Sequence, residues 1–158
     1  APVKTWEVLL GKTIPFIVIG MLNAASVFIF AILVFKVPMK GFHWQLAIAT
    51  FSFVVTTVSI GTLISTFAKN QQQAMMGGFI FLLLSNLLAG IMFPIDNMPL
   101  LMKAAAYMNP MTYFVRLVRN IMLKGGSPDL IWSYIAILVL MAVLASIVSY
   151  KRFHHTLD

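Results

Sequence analysis

Long apolar stretches, interrupted by single charged residues, dominate the pattern along the chain. Four stretches contain no Lys, Arg, Asp or Glu, and they cover residues 13–35, 41–68, 70–95 and 130–150. A charged side chain at the centre of a bilayer costs about 2.5 to 3.5 kcal/mol, and an α-helix needs roughly 20 residues to cross the hydrocarbon core. Because each stretch reaches that length, the pattern predicts four transmembrane helices in an all-α integral membrane protein.

A further apolar segment, residues 99–124, is interrupted by prolines and by two arginines. Pro99 can begin one short helix, and Asn109 and Pro110 end it and begin the next, because the residue before a proline avoids helical geometry. The second helix should end at Lys124, before two glycines, and it reaches only about 22 Å, too short to cross. We therefore predict a re-entrant helical hairpin that dips into one leaflet.

The second helix of this hairpin has one polar face. Four residues at positions i, i+4, i+7 and i+8 form it, namely Thr112, Arg116, Arg119 and Asn120. We expect this face to point to water or to lipid headgroups. The hairpin then either braces one side of the bundle or takes a direct part in gating or in the exit path of a substrate.

Residues 1–12 have the pattern of a surface helix. On a helical wheel Val3, Trp6, Leu9 and Leu10 gather on one side and polar residues on the other. Tryptophan favours the membrane interface, so we predict an amphipathic helix that lies along the surface and turns into the first span near residue 12. It serves either as an interfacial anchor or as a docking surface for a cytosolic partner.

The predicted spans also carry polar side chains. In the second span five small hydroxyl residues line one face, namely Ser52, Thr56, Ser59, Thr62 and Thr66. Such a face allows close helix packing with hydrogen bonds across the contact, and the alternative is the wall of a substrate pathway. Asn23 and Asn86 lie within their spans, and each needs a partner in the bundle or a wet cavity.

The composition supports a membrane protein and excludes other classes. Apolar residues make up 61% of the 158 residues and charged residues only 9%, which is too few for the surface of a soluble domain. The net charge of +7 comes from scattered Lys and Arg, so no nucleic-acid partner is expected. The chain has no cysteine, which excludes disulfides and thiolate metal sites.

Charge counting does not orient the protein in the membrane. An even number of crossings places residues 1–12, the loop at 69–73 and the C-terminus on one side, which carries five Lys and Arg against six on the other. The positive-inside rule therefore gives no direction. Only when the charges of the hairpin are left out does the count become five against two.

No catalytic or metal site is predicted. The acidic residues all fall at predicted membrane edges or in tails, and they are Glu7, Asp96, Asp129 and Asp158. His154 and His155 lack a third ligand at suitable spacing, so they are interpreted as part of a polar tail. The chain has no G-x-x-x-x-G-K-S/T loop, and any active pumping therefore draws its energy from another protein.

Four motifs stand out in order along the chain. They are residues 2–12 (PVKTWEVLLGK), 65–74 (STFAKNQQQA), 93–99 (FPIDNMP) followed by 107–113 (YMNPMTY), and 150–153 (YKRF). Together they resemble the ABC-2 type permeases, which are the membrane subunits of type V ABC exporters. The resemblance runs the whole length of the chain, and the ordered set is more specific than any one motif.

The resemblance implies that residues 1–12 are the coupling helix that receives the push from an ATPase. It also implies that the chain contains family spans three to six, at residues 13–35, 43–67, 74–95 and 129–150. The hairpin at 99–124 matches the extracytoplasmic re-entrant helices, which places both termini of this segment in the cytoplasm and the protein in the inner (plasma) membrane. Two further spans lie upstream in the family, so the chain is expected to be a fragment of a six-span permease.

The same resemblance implies the partners. An ABC ATP-binding subunit would bind ATP and Mg²⁺, whereas this chain would bind no cofactor and would not be an enzyme. The contact with that subunit would be formed by Lys4, Thr5, Trp6, Glu7, Asn70 and Gln71. A second permease copy, in a homodimer or pseudo-dimer, and membrane lipid complete the expected partners.

The expected function is ATP-driven export of an amphipathic or lipid-like substrate from the cytoplasm by alternating access. Apolar spans with few fixed charges support such a substrate. A passive channel or pore-forming subunit is the alternative, and its sign would be conductance without nucleotide. A membrane enzyme would need a buried acid, base or metal site.

Overall fold

The computed structural model describes residues 2–157, which form six α-helices and one 3-10 helix and, within that range, no β-strand. The α-helices are α1 (Thr5–Leu33), α2 (His43–Phe67), α3 (Gln71–Leu88), α4 (Leu100–Tyr107), α5 (Pro110–Lys124) and α6 (Pro128–Leu157). The 3-10 helix, Ile95–Asn97, lies between α3 and α4. The prediction of an all-α protein is confirmed for these residues.

Three helices are long and apolar enough to cross a membrane, counted over the part of the chain that the structure describes. They are α1, α2 and α6, and they correspond to the first, second and fourth predicted spans. Helix α2 covers the predicted residues 43–67, whereas α6 continues past residue 150. The segment with His154 and His155 is therefore helical, because no proline or glycine follows the apolar stretch to end the helix.

The third predicted span, residues 74–95, is shorter in the structure. Helix α3 ends at Leu88, and Gly90 has a left-handed φ of +79°. A glycine in this conformation is typical of the end of a helix. The 18 residues of α3 rise about 27 Å, and its first turn contains three glutamines. The predicted helix end at residue 95 is therefore wrong, and a fourth crossing stays a prediction.

Helix α1 joins two elements that the sequence predicts as separate. It runs without a break from Thr5 to Leu33, so the surface helix at 1–12 and the span at 13–35 form one helix. The helix continues through Pro15, although a proline in a helix interior removes one backbone hydrogen bond and its ring crowds the carbonyl four residues earlier. The predicted turn near residue 12 is wrong, because a change from an amphipathic to a fully apolar pattern is not a helix-ending signal.

The hairpin helices begin and end where predicted. Helix α4 begins after Pro99, and α5 begins at Pro110, where Asn109 Oδ1 accepts a hydrogen bond of 3.2 Å from the N–H of Met111. Helix α5 ends before Gly125, which has a left-handed φ of +87°. The insertion of this hairpin into one leaflet stays a prediction.

The core lies where α2, α5 and α6 meet. Its buried side chains are Leu46, Ala49, Tyr113, Leu117, Ile121, Ile131, Ile135 and Leu138. Helix α2 is central, since it contacts α1, α3, α5 and α6. Between Thr5 and Leu33, by contrast, no side chain is buried, so α1 presents a long apolar surface to its surroundings.

The long helices define two ends of the bundle. Trp6 at the start of α1 and Tyr150 near the end of α6 line the same cavity, and the guanidinium of Arg152 lies 5.3 Å from the centre of the Phe67 ring at the end of α2. Helices α2 and α6 therefore run parallel, and α1 runs antiparallel to both. We refer to this end as the Trp6 end and to the opposite end, where α5 meets α6, as the hairpin end.

Candidate functional site

Small hydroxyl side chains of α2 lie in the contact with α6. Ser52, Thr56 and Ser59 are buried. The Thr56 hydroxyl lies 2.7 Å from the carbonyl oxygen of Ser52 and 2.8 Å from that of Leu138 on α6. Ser146 Oγ lies 3.3 Å from Ser59 Oγ, within hydrogen-bond distance. The structure thus places Thr56 and Ser59 in the packing contact between α2 and α6, whereas the Ser52 hydroxyl donates a hydrogen bond of 2.9 Å to the carbonyl oxygen of Ile48 in its own helix.

The two asparagines of the spans lie away from this contact. Asn23 is exposed on α1, and Asn86 is exposed on α3. The side-chain amide of Asn86 donates a hydrogen bond of 2.8 Å to the carbonyl oxygen of Leu82 in its own helix. The structure therefore does not bring the five candidate pathway or packing residues together. The Asn86 amide therefore satisfies one of its hydrogen-bonding groups within its own helix, one turn away.

Four of the predicted coupling residues surround the first turn of α1. Lys4, Trp6 and Glu7 are exposed, and Thr5 is half-buried. The Glu7 carboxylate accepts a hydrogen bond of 3.2 Å from the N–H of Lys4, which satisfies a backbone group at the start of the helix. A carboxylate also interacts favourably with the positive end of the helix dipole. This turn presents charged and aromatic side chains at the protein surface.

The other two predicted coupling residues lie at the start of α3. Asn70 Oδ1 accepts a hydrogen bond of 2.8 Å from the N–H of Gln73, and Gln73 Oε1 accepts one of 2.8 Å from the N–H of Lys69. Asn70 is therefore the N-cap of α3, a structural role that the sequence interpretation omitted. Gln71 is exposed in the first turn. This turn follows α2 directly and so lies at the Trp6 end.

Two residues of the predicted polar face of α5 are buried, and the expectation that this whole face points to water is wrong. The buried Thr112 hydroxyl donates a hydrogen bond of 2.7 Å to the carbonyl oxygen of Ala106. Buried Asn120 accepts one of 2.8 Å from the N–H of Ser127. Both side chains satisfy backbone groups in the segments that flank α5, and this is why they lie inside the protein.

Asn109 connects the hairpin to α3. Its side chain is buried, its oxygen caps α5, and its Nδ2 donates a hydrogen bond of 2.8 Å to the carbonyl oxygen of Ser85. Pro110 is buried beside it at the first helical position, where a missing N–H costs nothing. One amide group therefore holds both the start of α5 and its position against α3.

Arg116 is the charged residue of the hairpin that contacts aromatic side chains. Its guanidinium lies 5.4 Å from the centre of the Tyr107 ring, and Nη1 donates a hydrogen bond of 3.3 Å to the Tyr134 hydroxyl. Burial would lower the pKa of Arg116, but the hydrogen bond to Tyr134 and the neighbouring tyrosines raise it overall, so the side chain stays charged. Arg119 is exposed.

The sequence interpretation missed the close approach of the loop before α2 to the end of α5. The N–H of Gly41 donates a hydrogen bond of 2.8 Å to the carbonyl oxygen of Ile121, and that of Lys40 donates one of 3.0 Å to Met122. A Cβ atom at Gly41 would clash with the backbone carbonyl oxygen of Ile121, so only glycine fits. A single loop glycine gives no signal of a partner so far along the chain.

The protein contains apolar helices of membrane-crossing length, which contact one another through buried hydroxyl groups and pack against a helical hairpin. These features define a polytopic membrane protein. The sequence matches the ABC-2 type transporter family over residues 1–123. The chain belongs to this family, whose members are membrane subunits of transporters, and the resemblance noted from the four motifs is confirmed.

Relatives from Escherichia coli strain K12 match almost the whole chain. Probable multidrug ABC transporter permease YbhR is 30% identical over 156 residues, which cover 97% of this chain and 42% of YbhR. Probable multidrug ABC transporter permease YbhS is 32% identical over 142 residues, which cover 87% of this chain and 37% of YbhS. Inner membrane transport permease YhhJ is 24% identical over 161 residues, covering 99% of this chain and 42% of YhhJ.

This chain therefore corresponds to less than half the length of these relatives. No solved structure matches it.

Proposed function

We propose that this chain is the membrane-crossing part of an ATP-driven exporter, and that motion from an ATPase partner enters at the Trp6 end. The observation that carries the proposal is the continuity of α1. The helix begins with the exposed turn at Thr5 and runs unbroken to Leu33. Because a helix transmits displacement along its axis, a push on its first turn would tilt the whole of a membrane-crossing helix.

The partner would be an ABC ATP-binding subunit, which would bind ATP and Mg²⁺. Its contact surface would combine Lys4, Trp6 and Glu7 from α1 with Gln71 from α3, which are all exposed. Thr5 and Asn70 would contribute mainly by shaping the starts of the two helices, since Thr5 is half-buried and the Asn70 side chain is engaged as a cap. The absence of a phosphate-binding motif in this sequence supports a separate source of energy.

The transported compound would be amphipathic or lipid-like and would leave the cytoplasm by alternating access. Large apolar side chains are exposed along α1 and α3, and these faces suit contact with lipid and with a second permease copy. The names of YbhR and YbhS describe multidrug permeases and that of YhhJ an inner membrane permease, which supports export across the inner membrane. In this arrangement the Trp6 end and both termini of the chain face the cytoplasm.

Charge reversal at the proposed contact tests this function. The complete permease is reconstituted with its ATPase in vesicles, and nucleotide-dependent transport of a fluorescent amphiphile is measured together with co-purification of the ATPase. We expect Glu7→Arg to reduce both assembly and transport, because it places a cation at a helix N-terminus and at the contact. Glu7→Gln keeps an acceptor for the N–H of Lys4 and should reduce them less.

Asp96→Arg is the matched control, since Asp96 is also an exposed acid but lies in the 3-10 helix before the hairpin. Equal effects of Glu7→Arg and Asp96→Arg would contradict a specific contact at the Trp6 end. Ion conductance of the reconstituted permease without nucleotide would instead support a passive channel.

A further inference from the structure

Arg116, a half-buried arginine of the hairpin, lies among tyrosines from three helices. Its guanidinium is 5.4 Å from the centre of the Tyr107 ring of α4, and Nη1 donates a hydrogen bond of 3.3 Å to the Tyr134 hydroxyl of α6. Tyr113 holds both partners, since its hydroxyl donates a hydrogen bond to the carbonyl oxygen of Tyr107 and its ring packs edge-on against that of Tyr134. We refer to Arg116, Tyr107 and Tyr134 as the Arg116 cluster.

The Arg116 cluster lies deeper than the ends of the crossing helices. Phe114, two residues before Arg116, stacks on Phe53 with ring centres 4.1 Å apart, and Phe53 lies well inside α2, which begins at His43. Tyr134 likewise follows the start of α6 by more than one turn. At 1.5 Å per residue, these contacts are about 15 Å and about 9 Å from the hairpin end of each helix. A charged side chain at such a depth marks a candidate functional site and calls for a partner.

The described chain supplies no counter-ion for Arg116. Within residues 2–157 the acidic residues are Glu7, Asp96 and Asp129, all three are exposed, and none forms an ion pair with Arg116. Arginine stays protonated at every physiological pH, and a partly buried charge without a counter-ion is unfavourable. An anion from another molecule would neutralise it.

The hydrogen-bonding groups that remain available in the cluster are donors. The guanidinium has five N–H groups, whereas only the hydroxyls of Tyr134 and Tyr107 offer it oxygen atoms. The Tyr134 hydroxyl accepts from Arg116 and keeps its own proton, for which the described residues provide no acceptor. An arginine fork beside an O–H donor matches a ligand with two anionic oxygen atoms, because arginine binds carboxylate and phosphate groups in a bidentate manner.

The neighbouring helix supplies an apolar surface. On α4 and directly after it, large apolar side chains are exposed, and they are Leu100, Leu101 and Met108. We propose that the Arg116 cluster binds the oxyanion head group of an amphiphile, a carboxylate or a phosphodiester, and that the apolar part of the amphiphile lies against α4. Selection of acidic compounds for export at this site rests on the proposed function, whereas binding to the site does not.

Photolabelling with 4-(trifluoromethyldiazirinyl)benzoic acid tests this site, because the light-activated diazirine is on the ring that carries the carboxylate. The complete permease is labelled at pH 7 in phosphatidylcholine nanodiscs without nucleotide or ATPase, and the adducts are located by mass spectrometry. We expect saturable labelling in the hairpin and in the first two turns of α6. The corresponding benzyl alcohol has the same ring and diazirine without the charge, and its labelling should not saturate.

Substitutions in the cluster should weaken the labelling in a defined order. Arg116→Gln keeps N–H donors but removes the charge, and it should raise the half-saturating concentration about 10- to 100-fold, the effect of a hydrogen bond to a charged group. Arg116→Lys keeps the charge without the fork and should have a smaller effect. Tyr134→Phe removes one hydroxyl and should raise the half-saturating concentration about two- to tenfold.

Arg119→Gln is the matched control, because Arg119 is an exposed arginine of the same helix and has no ion pair or ring contact with the described residues. It should change the half-saturating concentration less than twofold. Equal increases for Arg116→Gln and Arg119→Gln would indicate general attraction to a basic surface and overturn the proposal. If Arg116→Gln fails to fold, an unchanged half-saturating concentration in Tyr134→Phe, or equal values for the acid and the alcohol, would overturn it as well.

Acidic head groups occur both in membrane phospholipids and in transported compounds, and two further measurements distinguish these sources. A resident phospholipid would co-purify with the protein, and less of it would be found with Arg116→Gln. A transported compound would not co-purify, and labelling by the benzoate would change while the ATPase partner hydrolyses ATP. Because binding is measured without the partner, a failure here leaves the exporter proposal intact, and the reverse also holds.

Discussion

The hydroxyl group of Thr56 lies 2.8 Å from the carbonyl oxygen of Leu138, a residue 82 positions later in the chain. Thr56 is completely buried, and the same hydroxyl is 2.7 Å from the carbonyl oxygen of Ser52. The contact joins the two parallel helices α2 and α6 near their middles. In an apolar environment a hydroxyl between two carbonyl groups favours one register of the two helices over others.

Replacement of Thr56 by valine should weaken the α2–α6 contact, because it removes the hydroxyl and keeps a branched side chain. We expect a loss of about 0.6 kcal/mol, and at most roughly 1.7 kcal/mol, in the free energy of unfolding measured by denaturant titration in mixed micelles. Thr57→Val is the control, since Thr57 is half-buried and bonds only to carbonyl oxygens of its own helix. Equal losses in the two variants would argue against a role for the interhelical bond.

Gly41→Ala should destabilise the protein. The new Cβ atom would clash with the carbonyl oxygen of Ile121, which is backbone and cannot rotate away. We expect a cost of roughly 1–3 kcal/mol, as for other overpacked sites, in the same titration. Gly11→Ala has no neighbour within 4 Å of the new Cβ atom and lies inside α1, so it should be neutral or stabilising. A neutral effect at Gly41 would show that the loop can move away from α5.

Asn109→Ala should loosen the hairpin, because one substitution removes the cap of α5 and the hydrogen bond to Ser85. A loss of about 1–2 kcal/mol is expected. Faster proteolysis or hydrogen exchange in α4 and α5 would locate the effect. Asn86→Ala is the control, since the Asn86 amide bonds within its own helix and is exposed. Unchanged exchange in α5 of Asn109→Ala would contradict the role assigned to this residue.

The hairpin either braces one side of the bundle or takes part in gating or in the exit path. The substitutions Arg116→Leu and Arg119→Leu distinguish these two roles. The first substitution removes the contacts with Tyr107 and Tyr134 and should cost roughly 0.5–1 kcal/mol, whereas Arg119 is exposed and its replacement should cost less. Transport by the folded variants is then measured with the complete transporter. Reduced transport at retained stability supports gating, and unchanged transport supports a brace.

Several elements could be predicted because their signals lie within a few residues. The ends of α5 follow from Asn109, Pro110 and Gly125, and the limits of α2 follow from the charge-free stretch around it. A proline, a glycine or a buried charge acts on its own turn of the helix, whatever the rest of the chain does. The same local rules failed at α1, because a change in hydrophobic pattern does not bend a helix.

The features of the candidate site also fall into two groups, those that the sequence predicts and those that only tertiary packing produces. The exposed first turn with Trp6 and Glu7, and the hydroxyl face of α2, are readable from residue type and spacing alone. The burial of Thr112, the approach of Gly41 to Ile121 and the contact of Arg116 with Tyr134 arise only when distant segments pack together. Local preferences specify where helices begin and end, but pairing between helices depends on complementary surfaces far apart in the chain, and one sequence does not display which surfaces meet.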